Sequence, residues 1–380
     1  MKEIQIQKQI KLQKEALICH EKFGFRSTIH LSVGSGKSKV AITRFEEHYK
    51  KNKKFKGLFF GCRELYLENF KLELKKFKKT FLIKNITFVC TQSLKNLKDK
   101  FDIIVGDESH KHVESYLGFL NEQIKLNSKV ELLCLTGTPI LTGDNFIELE
   151  KIVPISISKN IDNSVDEGLI NDYKVVVYLH KLDSKKNIHI KTKNHNFYTS
   201  EEKNYRSIYL KYINSEKTQV FSKEMQYLKL FFKNLNSKIK IVEDIIKSIH
   251  NKSPSDKILI YVGSIEQKDK FKYPSYHSKL SKAVKEKNYN TFLKTGKIMT
   301  NVDGIKEAVS IPNLKHLIIM HGGASSTSLE QVLGRSLRLI PKKEIGTVHL
   351  LVADGTIEKD WCLKSTIKLD KEKIEYVQVN

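Results

Sequence analysis

The sequence predicts an α/β protein with two tandem blocks, each a parallel sheet flanked by helices, and a helical insertion in the second block. Short apolar runs alternate with lysine-rich helical patterns over the first 150 residues, and the same alternation returns after residue 173. Strands that alternate with helices are typical of βαβ units, whose sheets are parallel. The first block has candidate strands at 28–32, 57–61, 86–90, 101–106 and 131–135, and helices at 38–50 and 64–78.

The second block opens with the apolar run YKVVVYL at 173–179. Further strands are expected at 257–262, 297–300, 314–320 and 346–352, with helices at 266–272 and 280–293. These patterns divide the chain into a first domain at 1–155, a linker at 156–172, a second domain at 173–365 and a tail at 366–380. The tail is expected to form a capping helix or strand.

A polar, helical segment at about 198–250 forms the insertion in the second block. Its later part carries apolar residues alternately three and four apart, from 225 to 249. This spacing fits either a coiled coil with a partner or a long helix packed on its own domain. Because the run covers only about three and a half heptads, packing within the domain is favoured.

The charge of the chain is strongly positive. Lysine and arginine number 67 against 43 acidic residues, giving +24, and only six of the 67 are arginine. A polyanionic partner such as nucleic acid explains the excess; so does an AT-rich genome that places lysine on every solvated face. The hydrophobic content of 40% excludes a disordered chain. Every apolar run is far shorter than the roughly 20 residues of a membrane span.

The N-terminus and the cysteines indicate an intracellular protein. The first residues, MKEIQIQKQIKLQKE, contain no apolar signal core. The cysteines are widely scattered, with no pair at a metal-ligand spacing. We therefore expect reduced, mostly buried thiols and largely exclude a zinc or iron–sulfur module.

A phosphate loop is predicted at GSGKS, residues 34–38, between a strand and a helix. Gly34 and Gly36 allow backbone N–H groups around Ser35 to turn toward phosphate oxygens. Lys37 would reach the β- and γ-phosphates of a nucleotide, and Ser38 would hold Mg²⁺. Leu31 stands where the common pattern has its first glycine, which weakens the bare pattern but not the strand–loop–helix context.

Two further motifs follow strands of the first block. In DESH, Asp107 can hold Mg²⁺ at a strand tip, and Glu108 can orient and deprotonate an attacking water. His110 either couples the nucleotide to the next motif or is a solvated turn residue. In TGTP, the hydroxyls of Thr136 and Thr138 can bridge from the carboxylate pair to a moving neighbour.

Two of the six arginines, Arg335 and Arg338, lie in QVLGRSLR together with Gln331. They are three residues apart, so both guanidinium groups share a helix face. Arginine in a lysine-rich chain indicates a site that needs a planar, permanently charged fork, either on a γ-phosphate or in a structural ion pair. We favour the γ-phosphate, where arginine fingers contribute roughly 10³–10⁵ in rate. The nucleotide would then lie in a cleft between the two blocks.

In this order, GSGKS, DESH, TGTP and QVLGRSLR resemble the motif series of the superfamily 2 helicases and translocases. The resemblance covers about residues 5 to 360 and is closest to the type III restriction-like and phage UvsW-like branch. It implies two RecA-like domains, Mg²⁺-ATP in the cleft between them, and a nucleic-acid strand across the tops of both.

The resemblance also assigns residues. It places Lys37, Ser38, Asp107 and Glu108 on the phosphates, metal and water, and Gln331, Arg335 and Arg338 on the γ-phosphate. It makes Gln13 the candidate adenine-reading residue, although other glutamines surround it. The family's strand contacts fall on Arg63, Thr91, Ser93, Ser264 and Lys279. Ala308 and Ser310 depart from the family's E-G-x-[DN]-x-P pattern, which puts a ribose contact and its coupling in doubt.

The resulting prediction is a nucleic-acid-dependent ATPase and DNA helicase or translocase that uses Mg²⁺-ATP. DNA is preferred to RNA because of the branch resembled, since backbone binding itself does not distinguish them. A duplex translocase of the Swi/Snf type, an RNA helicase and a nucleic-acid-binding subunit with vestigial ATPase chemistry remain alternatives. A viral or phage gene acting in replication, recombination or repair is expected, with no membrane partner and a monomer allowed.

Overall fold

The computed structural model describes residues 2–32, 34–137, 144–191, 196–215, 223–302, 311, 314–321, 329–330, 333–334 and 345–379. The chain divides into two compact units, the first at Met1–Asn171 and the second at Asp172–Asn380. Each unit is built on a parallel sheet.

The sheet of the first unit has the strand order β3-β2-β4-β5-β1-β6 among the described residues. Its strands are β1 (Arg26–Leu31), β2 (Gly57–Gly61), β3 (Ile86–Cys90), β4 (Ile103–Asp107), β5 (Glu131–Thr136) and β6 (Ile155–Lys159). The five strands predicted for this block are confirmed. Residues 156–172, predicted as a linker, carry most of β6 and the following helix, because Ile157 packs into the core of this unit.

Helices cover both faces of the first sheet. They are α1 (Lys2–Lys22), α2 (Lys37–Lys51), α3 (Glu64–Lys76), α4 (Leu117–Leu126), α5 (Asp144–Ile152) and α6 (Ile161–Asp166). One core cluster joins α1, α2 and α3 to the sheet, and a second joins α4 and α5 to it. Short 3₁₀ turns lie at Thr80–Asn85, Thr91–Asn96 and Val113–Ser115.

A buried ion network closes the amino edge of the first sheet. The carboxylate of Glu131, the first residue of β5, accepts hydrogen bonds from Arg44 Nε (2.7 Å) and Nη2 (2.8 Å). It also lies within hydrogen-bond distance of the Nε2 atoms of His20 (3.1 Å) and His48 (2.8 Å). Although burial opposes ionisation, these partners hold the pKa of Glu131 well below its ordinary value.

The sheet of the second unit has the order β11-β12-β10-β13-β14-β7-β15 among the described residues. Its strands are β7 (Tyr173–His180), β10 (Lys257–Tyr261), β11 (Ser275–Tyr276), β12 (Ile298–Asn301), β13 (Leu314–Ile319), β14 (Gly346–Ala353) and β15 (Ile374–Val379). The predicted tail therefore includes β15, which pairs with β7 in parallel. A separate antiparallel pair consists of β8 (Ile188–Lys191) and β9 (Asn196–Thr199).

The helices of the second unit are α7 (Glu201–Asn214), α8 (Lys223–Lys233), α9 (Ser237–Lys252), α10 (Ile265–Lys268), α11 (Lys282–Lys294) and α12 (Ile357–Thr366), with a 3₁₀ turn at Lys371–Lys373. The predicted long helix over the apolar stripe is instead two helices, α8 and α9. The stripe is buried within its own unit, as favoured over a coiled coil, because both helices turn it toward the core.

A fully buried ion pair joins three elements of the second unit. Lys238 Nζ in α9 lies 2.7 and 2.8 Å from the two carboxylate oxygens of Glu358 in α12. It also donates to the carbonyl oxygen of Met320, directly after β13. Burial lowers the pKa of Lys238, and the charge of Glu358 opposes that shift.

All five cysteines are free thiols, and Cys62, Cys134 and Cys362 are buried. In the described ranges, no helix combines the length and apolar character needed to cross a membrane.

Candidate nucleotide site and nucleic-acid interface

The predicted phosphate loop connects the end of β1 to the start of α2. Gly34 and Gly36 adopt positive φ angles of 93° and 97°, which favour glycine. Gly36 precedes the 15-residue helix α2 and makes no side-chain capping hydrogen bond, so no capping side chain covers this helix end at that position. A helix N-terminus of this kind attracts anions.

Lys37 and Ser35 hold the loop in place. Lys37 Nζ donates to the carbonyl oxygens of Leu31 (2.8 Å) and Ser32 (3.3 Å). The buried Ser35 hydroxyl also donates to Ser32 O, at 2.7 Å. Ser38 lies half-buried in the first turn of α2. The ammonium group of Lys37 is thus held at the loop on which phosphates are predicted to bind.

Two glutamines of α1 contact the phosphate loop. A Cβ atom at Gly36 would come within 2.2 Å of Gln13 Nε2, so Gln13 packs directly on this glycine. Gln9 Nε2 donates to the carbonyl oxygens of Gly34 and Leu169, both at 3.2 Å. The sequence prediction singled out Gln13 and missed Gln9. The signal was available, because residues four apart lie on the same face of a helix.

The acidic pair lies at the carboxyl edge of the same sheet. Asp107 ends β4, and Glu108 follows with a positive φ of 50°. Burial, and then the charge of Glu108, raise the pKa of Asp107 to about 7, while the charge of Lys37 opposes this shift. The phosphate loop follows β1 and the acidic pair follows β4, and both strands pair with β5 in parallel, so both motifs lie at the same edge of the sheet.

The residues of this edge fit a divalent cation. Within the described part of the chain, the buried Oε2 atom of Glu108 has no hydrogen-bond partner. Two adjacent carboxylates in a poorly solvated place repel each other, and a bound cation would relieve that repulsion. Clusters of three or more His, Cys, Asp or Glu side chains suited to a metal do not occur among the described residues. A Mg²⁺ ion would therefore combine Asp107 with the Ser38 hydroxyl and non-protein oxygens.

A hydrogen bond joins Thr136, at the end of β5, to His110, in the turn after the neighbouring strand β4. His110 Nδ1 lies 2.8 Å from Thr136 Oγ1, and both residues are buried. His110 Nδ1 also lies 3.4 Å from Glu108 Oε2. Because β5 lies between β1 and β4, Thr136 occupies the strand end between the phosphate loop and the acidic pair. Thr138 lies outside the described residues.

The predicted strand contacts of the first unit follow strands at its carboxyl edge, where ligands of parallel sheets bind. Arg63 follows β2 and is exposed. Thr91 follows β3 but is only 2% exposed. The exposed hydroxyl of that turn belongs to Ser93. The strand contacts at Arg63, Thr91 and Ser93 stay predictions.

In the second unit, the two predicted contacts also follow strands. Ser264 follows β10 and caps α10, and its Oγ accepts a hydrogen bond from Gln267 N at 3.0 Å. The same hydroxyl donates to Asn234 Oδ1, which gives Ser264 a structural role. Lys279, after β11, is exposed. Gln331, Arg335 and Arg338 lie outside the described residues.

Two parallel α/β units, with a glycine–lysine–serine loop beside an acidic pair in the first, are typical of P-loop nucleotide-binding proteins. Residues 3–141 match the family described as type III restriction enzyme, res subunit. Residues 237–339 match the helicase conserved C-terminal domain. None of the curated proteins matches the sequence significantly.

The fold is similar to that of several solved structures. The ATP-dependent Type ISP restriction-modification enzyme LlaBIII bound to DNA aligns with a TM-score of 0.63 and 14% identity over 98% of this chain, which spans only 31% of that enzyme. The Hef helicase domain of Pyrococcus furiosus aligns at 0.55 and 13% identity, over 93% of this chain and 97% of that one. Mss116p bound to ssRNA and AMP-PNP aligns at 0.58 and 16%, over 93% and 72%.

The two family matches confirm the predicted resemblance to the superfamily 2 helicases, with an N-terminal part similar to the type III restriction family. The two α/β units of this chain are tandem RecA-like domains, as predicted. The nearer placement beside phage UvsW stays a prediction.

Proposed function

We propose that this chain hydrolyses ATP in response to nucleic acid and uses the energy to translocate on, unwind or remodel DNA. One observation carries the proposal. The phosphate loop and the acidic pair follow β1 and β4, which lie on either side of β5 in the parallel sheet, so both lie at its carboxyl edge. A lysine beside two carboxylates at a helix N-terminus is an arrangement suited to phosphoryl transfer.

The residues of this edge have separate roles in the proposal. Lys37 leaves its two carbonyl partners and binds the β- and γ-phosphates, while the N–H groups at Gly36 and Lys37 hold phosphate oxygens. Glu108, with a buried oxygen that accepts no hydrogen bond among the described residues, orients the attacking water and takes its proton. Ser38 and Asp107 would hold Mg²⁺, which neutralises charge on the phosphates when bound.

The remaining roles rest on the sequence. Gln331, Arg335 and Arg338 stabilise the charge that develops on the γ-phosphate, because a planar fork is demanded there. Gln13, which packs on Gly36, reads the adenine ring, and Gln9 supports the loop at Gly34. His110 and Thr136 carry the state of the nucleotide to the neighbouring strand end through their hydrogen bond.

DNA is the proposed substrate because the N-terminal part matches a restriction-enzyme family and LlaBIII is bound to DNA. Mss116p and S. cerevisiae Dbp5 are bound to RNA, and the latter aligns at a TM-score of 0.59 with 11% identity, over 97% of this chain and 89% of that one. An RNA helicase is therefore the second candidate. A phage source and an intracellular role in replication, recombination or repair complete the proposal.

The test is ATP turnover without nucleic acid and with single-stranded, duplex and forked DNA and RNA. We expect DNA to stimulate turnover, Lys37→Ala to abolish it, and Lys39→Ala, which removes the same charge two residues along α2, to retain it. Stimulation by RNA alone would favour the RNA helicase. Stimulation by duplex without strand displacement would indicate a Swi/Snf-like translocase. No hydrolysis with any ligand would overturn the proposal and leave a binding subunit.

A further inference from the structure

The ribbon formed by β8 and β9 differs from the rest of the second unit in pairing and in charge. It is antiparallel, and it is separate from the parallel sheet. Residues 184–200, which contain it, include four lysines and no acidic residue. The segment is therefore uniformly basic.

One face of the ribbon consists of exposed residues. His189 is paired with Tyr198, and Lys191 with Asn196. Residues opposite one another, and residues two apart, share a face in an antiparallel pair. These four side chains therefore form one face, which we call the ribbon face, and all four are exposed.

The ribbon face presents a supported aromatic ring. Tyr198 stacks on His189 with ring centroids 4.7 Å apart and an interplanar angle of 17°. His189 Nε2 lies 2.6 Å from Asn196 Oδ1, which fixes the imidazole under the tyrosine. Tyr198 is nevertheless 62% exposed. Stacked side chains with most of one ring in solvent offer a flat surface to another planar group.

The opposite face and the base keep the ribbon in place. On the opposite face, Ile188 and Ile190 are half-buried and Thr199 is buried, whereas Phe197 is 49% exposed. At the base, Asp183 N donates to Glu201 Oε2 at 3.1 Å. Asp183 also accepts a hydrogen bond from Asn187 Nδ2 at 2.8 Å, so the nearest acid is engaged in the turn. The ribbon face is thus preorganised rather than loose.

We propose that the ribbon face binds single-stranded nucleic acid, with a base stacked on Tyr198 and phosphates held by Lys185, Lys186 and Lys191. Aromatic rings beside lysines are how proteins bind single strands without sequence preference. Duplex is disfavoured because its base faces are already stacked, and a protein partner because lysine is depleted in protein interfaces. The inference rests on the proposed function only in taking nucleic acid as the ligand.

The experiment measures binding of a thymine-rich single-stranded oligonucleotide that contains 2-aminopurine, whose fluorescence is quenched by stacking. We expect Tyr198→Ala to weaken binding roughly tenfold and to remove the quenching. Tyr198→Phe should restore both. Tyr227→Ala is the matched control, because Tyr227 on α8 is 58% exposed. Thermal melting of each variant checks that the fold is intact.

Salt titration tests the lysines. For single strands, the slope of log affinity against log salt should fall by about 0.7 for each phosphate that Lys185→Ala or Lys186→Ala leaves without its cation. Lys229→Ala on α8 is the control. Equal behaviour of Tyr198→Ala and Tyr227→Ala, or equal competition by duplex, would overturn the inference.

The two proposals can fail separately. If the wild-type chain hydrolyses ATP but Tyr198→Ala binds the oligonucleotide normally, only the ribbon inference is wrong. If the chain hydrolyses no ATP with any nucleic acid but Tyr198→Ala still loses binding, only the motor function is wrong.

Discussion

Glu131 and the Asp107–Glu108 pair lie at opposite edges of one sheet and are built in opposite ways. Glu131, at the amino edge, has donors on both carboxylate oxygens, and its pKa is lowered. Asp107, at the carboxyl edge, has its pKa raised to about 7 by burial and by Glu108. The adjacent strands β4 and β5 carry both regions. A carboxylate with hydrogen-bond donors on both oxygens stabilises the fold. Two adjacent carboxylates that repel each other instead form a site where a bound ligand can relieve the repulsion.

The largest expected effect is a loss of ATP turnover on substitution of Glu108 but not of Glu131. Glu108→Gln keeps the shape of the side chain but removes the base, so ATP turnover should fall by roughly 10²–10⁴. Nucleotide binding, followed with a fluorescent ATP analogue, should persist. Folded Glu131→Gln protein is the comparison, because that carboxylate lies at the other edge. Normal turnover in Glu108→Gln would remove Glu108 from the catalytic residues.

The next effect is on stability. Glu131→Gln leaves the buried Arg44 guanidinium without its main counter-charge, and we expect a loss of about 3–5 kcal/mol in the free energy of unfolding of the first unit. Hydrogen exchange in α2 and β5 under increasing urea measures this unit directly. Glu148→Gln is the control, since the exposed Glu148–Lys151 pair should contribute at most about 1 kcal/mol.

The same variant gives a pH signature. Because the pKa of Glu131 is lowered on folding, its contribution is complete above the ordinary value of 4.5 and declines as pH falls below it. Glu131→Gln should flatten this acid limb of the stability curve. An unchanged acid limb would mean that other carboxyl groups determine it.

Asp107→Asn should act in the opposite direction. Its folded pKa of about 7 exceeds the ordinary 3.8, so the folded state holds an extra proton between these values and stability falls as pH rises through them. At about pH 8, Asp107→Asn should therefore stabilise the first unit by about 1–2 kcal/mol. Hydrogen exchange without added Mg²⁺ measures this free energy of unfolding. A destabilised variant would contradict the expectation that the Asp107 carboxylate, unlike that of Glu131, destabilises the fold.

The smallest effect concerns the hydrogen bond between Thr136, at the end of β5, and His110. Thr136→Val keeps the side-chain volume but removes the hydroxyl that bonds His110, so the ratio of stimulated to unstimulated ATP turnover should drop roughly two- to tenfold. Thr43→Val in α2, whose hydroxyl donates to Lys39 O at 2.9 Å, is the matched control. An equal ratio in both variants would exclude Thr136 from coupling.

Much of the fold followed from sequence because buried parallel strands are continuous apolar runs bounded by turns. The strands without that signal were missed: β6 (ISISK), β8 (IHIK) and β9 (NFYT) are short and contain polar residues, and β11 has two residues. The break between α8 and α9 was also missed, since both helices bury one apolar stripe. The break lies where Glu201 accepts hydrogen bonds from the backbone N–H groups of Asn236 and Ser237. Such a long-range interaction has no local signature.

The candidate site was predictable where backbone geometry dictates residue type. Gly34, Gly36 and Lys37 follow from a strand–loop–helix turn, and Asp107 from a strand tip. Burial of Thr91 and the hydrogen bond from Gln9 to Gly34 depend on packing between elements distant in sequence, which spacing alone does not encode. The exposed Tyr198 was likewise invisible, because its stacking on His189 requires the register of β8 with β9.

The buried Lys238–Glu358 pair has a consequence for cooperativity. If either α9 or α12 detached from the second unit, one charge of the pair would be exposed and the other would stay buried without its counter-charge. Local unfolding of one helix alone therefore has a high free-energy cost. The two helices should unfold together with the end of β13, to which Lys238 also donates. Although more than one hundred residues apart in sequence, they form a single folding unit.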